Sequence, residues 1–483
     1  MPAIRTRFAP SPTGYMHVGG LRTALYEYLI AKKSGGAFIL RIEDTDRKRL
    51  AEGAVEVIYK TMRLAGLAYD EGPDVGGDYG PYVQSERKGY LPYALRLVET
   101  GAAYYCFCEN KEENAGEAES FNRYDRRCLG MPAREIEEKL NKNVPYAIRQ
   151  FIPEGETTFR DEVFGDITIK NEELDDQVLI KSDGMPTYNF ANVIDDHLME
   201  ITHVIRGNEY LSSTPKYNLL YTAFGWGIPK YIHLPLLLNE NGMKYSKRRG
   251  DATIEDLLAK GYLPEAIVNY CALLGWSPGD NNEFFTLEEL IGAFDITGIS
   301  KSPSKFDIAK LTWMNGEYFK RMDPDKFYSL ALPVLASSVK AGVDLKIVAG
   351  MVKTRINLIS EIPEMVDFID ALPDYGAELY VHKKMKTDYA VSLRALSNVL
   401  DVLEGADFSS HETIHERLVT LADEAGLKNS QVLWPLRTAL SGKPTTPCGA
   451  AELCALLGKE ESVNRINAGI RLLEEAQSEH SPA

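Results

Sequence analysis

The alternation of apolar and polar positions changes period along this chain, and each change marks an element. Ile4 to Phe8 leans apolar and reads as a short strand. Leu21, Leu25, Tyr28 and Leu29 then recur at helical spacing, predicting a helix over Leu21 to Ala31 that the glycines after Ser34 end. The near-continuous apolar run Ala37 to Ile42 predicts a second strand and leads straight into Glu43, Asp44 and Asp46. Strand, Gly-rich turn, helix, strand is the opening of a βαβ unit with a parallel sheet. Ligands sit at the carboxyl ends of such strands, where both the turn Ala9 to Gly20 and the acidic triplet fall.

Asp70 to Tyr82 is a Gly-, Pro- and Asp-rich loop, and the cysteine-bearing stretch around 104–128 reads as an insertion. From about Asp176 apolar runs return, QVLI and then HVIRGNEYL, and the sheet is expected to resume there. Beyond Gly250 helical spacing dominates. Near the end Val463, Ile466, Ile470 and Leu473 step by three and four, an amphipathic helix. No repeat or low-complexity tract interrupts the pattern.

With 483 residues and 44% hydrophobic composition, the chain is long enough for about three domains. No apolar run approaches the ~18 residues that span a bilayer, and the N-terminus lacks the layout of a signal peptide; a soluble, cytoplasmic protein is expected. Six cysteines are too few for a disulfide scaffold and are expected as thiols. The net charge of -16 argues against a uniformly basic nucleic-acid coat and says little about a local groove. Two basic clusters, KYSKRR (Lys244 to Arg249) and HKKMK (His382 to Lys386), are each open to two readings, a solvated face or a phosphate site.

The turn APSPTGYMHVGG carries two prolines, three glycines and His17 immediately before a helix. Unpaired N–H groups and the helix dipole make such a helix start an anion site, with Gly14, Gly19 and Gly20 allowing close approach and His17 a donor. A tight turn with a packed histidine fits the same residues. GMKYSKRRGD, Gly242 to Asp251, sets two lysines three apart on a Gly-bounded loop able to bring ammonium donors to a triphosphate.

Taken together and in this order, HVGG resembles the HIGH signature and KYSKR the KMSKS signature of class I aminoacyl-tRNA synthetases. The fuller strings RFAPSPTGYMHVGGLRTALYEYL, FILRIEDTD, PTYNFANVIDDHLMEITHVIRGNEYL and WMNGEYF resemble the bacterial glutamyl-tRNA synthetase family. The resemblance is dense to about residue 320 and looser through LWPLRTALSGK.

It implies an α/β fold: a Rossmann-type parallel-sheet catalytic domain with an inserted acceptor-binding domain, followed by an all-α C-terminal anticodon-binding module. The expected boundaries are 1–85 and 191–250 for the two catalytic halves, 86–190 for the insertion, 251–320 for a stem-contact domain and 321–483 for the anticodon domain. The implied activity is ATP-dependent ligation of L-glutamate to tRNA(Glu) through a glutamyl-adenylate, by a monomer using ATP with Mg2+. A carboxylate nucleophile is already ionised at pH 7, so positioning and charge stabilisation suffice without a general base.

By the same resemblance His17, Gly19, Gly20, Lys244 and Lys247 would be catalytic. ATP would be held by Ser11, Glu209, Ser246 and Arg248 besides these. Glutamate would be held by Arg7, Ala9, Ser11, Glu43, Tyr188, Asn192 and Arg206, with Glu43 on its ammonium and the arginines on its carboxylates. Gly20 replaces the second histidine of the signature, which leaves more charge work to Lys247 and backbone amides. A structural ion pair of Arg206 with Glu209 or Asp195 is the competing reading of that arginine.

Cys106, Cys108 and Cys128 with Tyr124 would make a tetrahedral structural Zn2+ site, as some members of the family have; three free thiols in a packed insertion are the alternative. Cys271, Cys448 and Cys454 read as core, His197 and His203 as structural, and Trp226, Trp313 and Trp434 as core anchors. Lys383, Lys384 and Lys386 suit tRNA phosphates or a solvated helix end. Two rival functions are a nucleotidyltransferase of the same superfold and a tRNA-modifying or non-charging paralogue that activates glutamate. The Arg206 block and the helical extension after residue 320 count against the first; the extension, which truncated paralogues lack, counts against the second.

Overall fold

The computed structural model describes residues 3–45, 50–108, 124–245 and 250–480. The chain forms two units, Met1–Ala259 with Leu263–Ile308, and Lys260–Tyr262 with Ala309–Ala483.

In the first unit β1 (Arg5–Phe8) and β2 (Ala37–Leu40) pair in parallel, joined by α1 (Val18–Lys33), the expected βαβ opening. The helix starts three residues before the apolar spacing suggests. His17 is its N-cap, and its Nδ1 accepts from the Gly20 N–H at 3.1 Å. A Cβ on Gly19 would lie 3.1 Å from the His17 ring. Glycine there lets the first turn form against its own cap. At the other end Gly35, at φ +66°, and Gly36 close the helix, with the Gly36 N–H on the Ala31 carbonyl at 2.9 Å.

The sheet does not resume at Asp176. The strand after it, β7 (Val178–Ile180), is antiparallel to β4 (Ala147–Gln150), which in turn pairs with β3 (Ala103–Cys106). The strand that rejoins lies upstream: β5 (Glu156–Asp161), in a hairpin with β6 (Gly165–Lys170), sits beside β9 (Lys230–Leu234). On its other side β9 pairs in parallel with β8 (His203–Gly207). Apolar runs alone do not say which sheet a strand joins. The Thr202 N–H donates to the Arg5 carbonyl and the Arg5 N–H to the Thr202 hydroxyl, which links β1 to the start of β8, and Ile39, Phe159, Met199, Val204 and Tyr231 pack one shared core.

Among the described residues, the second unit has helices and no strands. Tyr389–Glu404, His411–Glu424, Asn429–Ser441 and Ala450–His480 pack through Leu396, Val399, Ile414, Leu418, Val432, Leu436, Ile466 and Leu473, all buried. The last helix is broken at Gly458, whose φ is 77°. Trp434 donates to the Leu379 carbonyl at 3.0 Å and Trp226 stacks on Phe224, both as anchors. Trp313, expected in a core, is 44% exposed: Leu311, Met314 and Asn315 form the buried face of its helix and Trp313 falls beside it. Lys383, Lys384 and Lys386 are exposed on a turn closed by His382 and Thr387.

Gly36 marks where β2 begins beside β1, and a Cβ there would fall on the Ile4 carbonyl. Gly36→Ala is therefore expected to cost about 1–3 kcal/mol, read as a lower urea midpoint with an unchanged slope.

Candidate active site

A cleft of about 520 Å3 opens at the carboxyl ends of β1, β2, β8 and β9, the position open α/β sheets reserve for ligands. Of the residues singled out in the sequence, it is lined by Arg7, Ala9, Ser11, His17, Gly19, Gly20, Glu43, Tyr188, Arg206, Glu209 and Lys244. Asn192, four residues along the Tyr188–Leu198 helix, is buried and does not line it. Asp46, Ser246, Lys247 and Arg248 lie outside the described residues.

One wall is the start of α1. Because the His17 Nδ1 accepts from Gly20, a neutral His17 carries its proton on Nε2. Surrounding protein and the charge of Lys244 hold its pKa below the ordinary histidine value, which favours that neutral donor form. The Gly20 amide, expected as a phosphate donor, is spent on the His17 cap and on the His17 carbonyl. Lys244 reaches Glu209 at 3.1 Å, and both are solvent-accessible.

The floor is a buried ion network. Arg7 donates Nε to Asp196 at 3.0 Å and faces Glu27 at 3.4 Å; Arg41 donates to Asp196 at 2.8 Å and to Glu43 at 2.8 and 3.2 Å. Burial opposes the charge on both arginines, but the carboxylates outweigh it and raise their pKa values. Burial also works against Asp196, where Arg7 and Arg41 prevail and hold the carboxyl below its usual value. For Glu43 burial prevails over Arg41 and Arg7 and pushes the pKa up. Only Oε1 of Glu43 is engaged; among the described residues its Oε2, like that of Glu27, is buried without a hydrogen-bond partner.

Arg206 is different. It is 7% exposed and pairs with no carboxylate among the described residues. The ion pair weighed against its substrate role does not form: Glu209 meets Lys244, while Asp195 meets Arg87, Gln84 and Tyr90. Neutral acceptors hold it instead, the His233 Nε2 at 3.3 Å and the Thr214 Oγ1 at 3.0 Å, with the Tyr210 and Tyr217 rings 5.1 and 4.6 Å from the guanidinium carbon.

A buried cation without an anion, a buried acceptor without a donor and an N-terminal helix start suit a zwitterion beside an anionic ligand. The model of the catalytic domain of tRNA synthetases class I (E and Q) matches residues 3–313, and that of an anticodon binding domain matches residues 326–470. A glutamate–tRNA ligase of Clostridium botulinum (strain Eklund 17B) is 57% identical over 479 residues, covering 97% of this chain and 99% of that one. That of Clostridium tetani is 56% identical over 477 residues, covering 97% and 98%.

The chain belongs to the glutamate–tRNA ligase family of class I tRNA synthetases.

A solved glutamate–tRNA ligase from Elizabethkingia meningosepticum, in complex with its amino acid, superposes with a TM-score of 0.85 at 37% identity, covering 98% of this chain and all of that one. A second, from Elizabethkingia anophelis, gives 0.84 at 36%, covering 97% and 99%. No described helix is long and apolar enough to cross a membrane.

Sequence reasoning missed Arg41, Asp196 and His233. Their signal is faint: Arg41 stands two before Glu43, and Asp196 closes the VIDD run. It did group Cys106, Cys108 and Cys128, whose sulfurs lie within 4.8 Å of one another, with the Tyr124 hydroxyl 3.3 and 3.4 Å from the first two.

Removing Arg41 strands the buried Glu43 and leaves Asp196 to Arg7 alone. Arg41→Met is expected to cost about 3–5 kcal/mol in chemical denaturation, whereas Lys32→Ala, breaking the partly exposed pair with Asp70, should cost under ~1 kcal/mol.

Proposed function

We propose that this protein ligates L-glutamate to tRNA(Glu) at the expense of ATP, through a glutamyl-adenylate that leaves pyrophosphate and then AMP. Full-length similarity to glutamate–tRNA ligases supports the reading. The observation that carries it is Arg206, a buried cation lining the cleft with only neutral partners. Opposite in sign, the free Oε2 of Glu43 receives the substrate ammonium. Arg206 takes the side-chain carboxylate; Arg7, already matched by Asp196 and Glu27, adds field to the same floor. Glutamine in that place would leave Arg206 uncompensated, a penalty of about 2–5 kcal/mol.

The α-carboxylate attacks the α-phosphorus of ATP as the bond to pyrophosphate breaks. His17 Nε2–H and the Gly19 amide at the helix start, with Lys244, meet the phosphate oxygens. Ser11, Tyr188 and Asn192 complete the amino-acid wall, and Ser246, Lys247 and Arg248 the phosphate side. Mg2+ accompanies ATP and offsets its charge. Segment 86–190 takes the acceptor end, 251–320 the stem and 321–483 the anticodon, in a cytoplasmic monomer.

The cysteine cluster fits zinc. Tetrahedral bonds of ~2.3 Å set ligand atoms roughly 3.8 Å apart, and the Cys108 and Cys128 sulfurs are separated by 3.5 Å with the Tyr124 oxygen beside them. Cys106, Cys108, Cys128 and Tyr124 would hold the ion, which would tie β3 to the segment before the Ala133–Asn141 helix.

Glutamate-dependent pyrophosphate exchange is expected only with tRNA(Glu) present, and His17→Ala should lower it about 100-fold; exchange with another amino acid, or none with glutamate, contradicts the reading. Metal analysis should find about one zinc per chain, lost in Cys108→Ser; metal-free wild type would leave three thiols in a packed insertion.

A further inference from the structure

Three neighbouring strands bring Asp161, His233 and Arg206 into line. Parallel register sets Arg206 on β8 opposite His233 on β9, and β5 ends beside β9 with Asp161 paired to Tyr231. All three side chains are buried. Asp161 is held rigidly: Oδ1 accepts from the amides of Val163 and Phe164 at 2.9 and 2.8 Å, and Oδ2 from the His233 amide at 3.0 Å.

Oδ2 also lies 2.7 Å from the His233 Nδ1. A carboxylate only accepts, so the imidazole proton sits on Nδ1 and a neutral ring offers its Nε2 lone pair. Two groups approach that lone pair at 3.3 Å, the Arg206 Nε–H and the Thr214 hydroxyl. Thr214 donates elsewhere, to the Tyr210 carbonyl at 2.9 Å, and accepts from the Arg206 Nη2. Nε2 is therefore left to Arg206. Burial, opposed by the Asp161 bond, lowers the His233 pKa, in keeping with a neutral ring.

Nε and Nη2 of Arg206 are thus tied to His233 and Thr214, which fixes the guanidinium plane of a residue that lines the cleft.

We infer that His233, oriented by Asp161, is a positioning residue for amino-acid selection, holding Arg206 in the plane where it meets the substrate carboxylate. This rests on the proposed role of Arg206. The chain of carboxylate, imidazole and guanidinium works as outer partners do for metal-ligating histidines: it fixes which nitrogen bears the proton and which way the recognising group faces. Planarity makes the effect large, because a fork tilted from the carboxylate plane loses one of its two hydrogen bonds.

The test is tRNA-dependent pyrophosphate exchange with wild type, His233→Leu, His233→Gln and Asp161→Asn. His233→Leu is expected to raise KM for glutamate about tenfold or more, with KM for ATP little changed. In His233→Gln the amide oxygen stands near the former Nε2 and should recover much of the loss. Asp161→Asn, which permits the other tautomer, should shift KM for glutamate in the same direction. A folded His233→Leu with wild-type KM for glutamate, or with both KM values rising together, overturns the inference. If His233→Leu does not fold, Asp161→Asn decides on the same criteria. Wild type without glutamate-dependent exchange would sink the activity reading and this inference with it; exchange by wild type with unchanged glutamate KM in the variants sinks the inference alone.

Discussion

The cleft is organised by the requirement that a buried charge be matched. Arg7, Arg41 and Arg206 stand with Glu27, Glu43 and Asp196 under one surface, and they are not paired evenly. Asp196 serves two arginines, Arg41 serves two carboxylates, and among the described residues Arg206 is hydrogen-bonded only to an imidazole and a hydroxyl. The imbalance is local: among the described residues, one oxygen each of Glu43 and Glu27 has no donor, and a cation has no anion. In the proposed reading a zwitterionic amino acid with a second carboxylate meets Glu43 and Arg206, and substrate choice follows from what the folded protein leaves unpaired.

Stability and recognition are therefore built from the same groups. Arg41 contributes no atom to the cleft lining, yet it holds Glu43 and shares Asp196 with Arg7, so it couples the end of β2 to the Tyr188–Leu198 helix while fixing the carboxylate proposed to take the ammonium. The wall proposed for the phosphates differs in kind. It has a helix start capped by its own histidine and solvent-accessible Lys244 and Glu209, where water solvates charge at little cost.

Much of this was legible in the sequence, and unevenly so. The βαβ opening showed because three signals coincided: an apolar strand, glycines before a helical period, and acidic residues after the next strand. The membership of β5 and β7 did not show, because pairing between strands far apart in sequence leaves no trace in a period of two. Arg206 was found through the block that carries it, while His233 and Asp161 were not: a histidine inside YIHLPLLL reads as part of a buried strand, and only strand register reveals that it faces an arginine. Trp313 failed for a related reason, since composition marks it as core while the face of its helix excludes it.

The claim most exposed to test is that Arg206 reads the side-chain carboxylate. Calorimetric titration of L-glutamate and L-glutamine into wild type and Arg206→Ala measures this directly. Wild type should prefer glutamate by about 30-fold or more, the equivalent of ~2 kcal/mol, and Arg206→Ala should erase the preference by weakening glutamate binding alone. An Arg206→Ala protein that still prefers glutamate, or that weakens both ligands equally, would place the discriminating charge elsewhere and contradict the account.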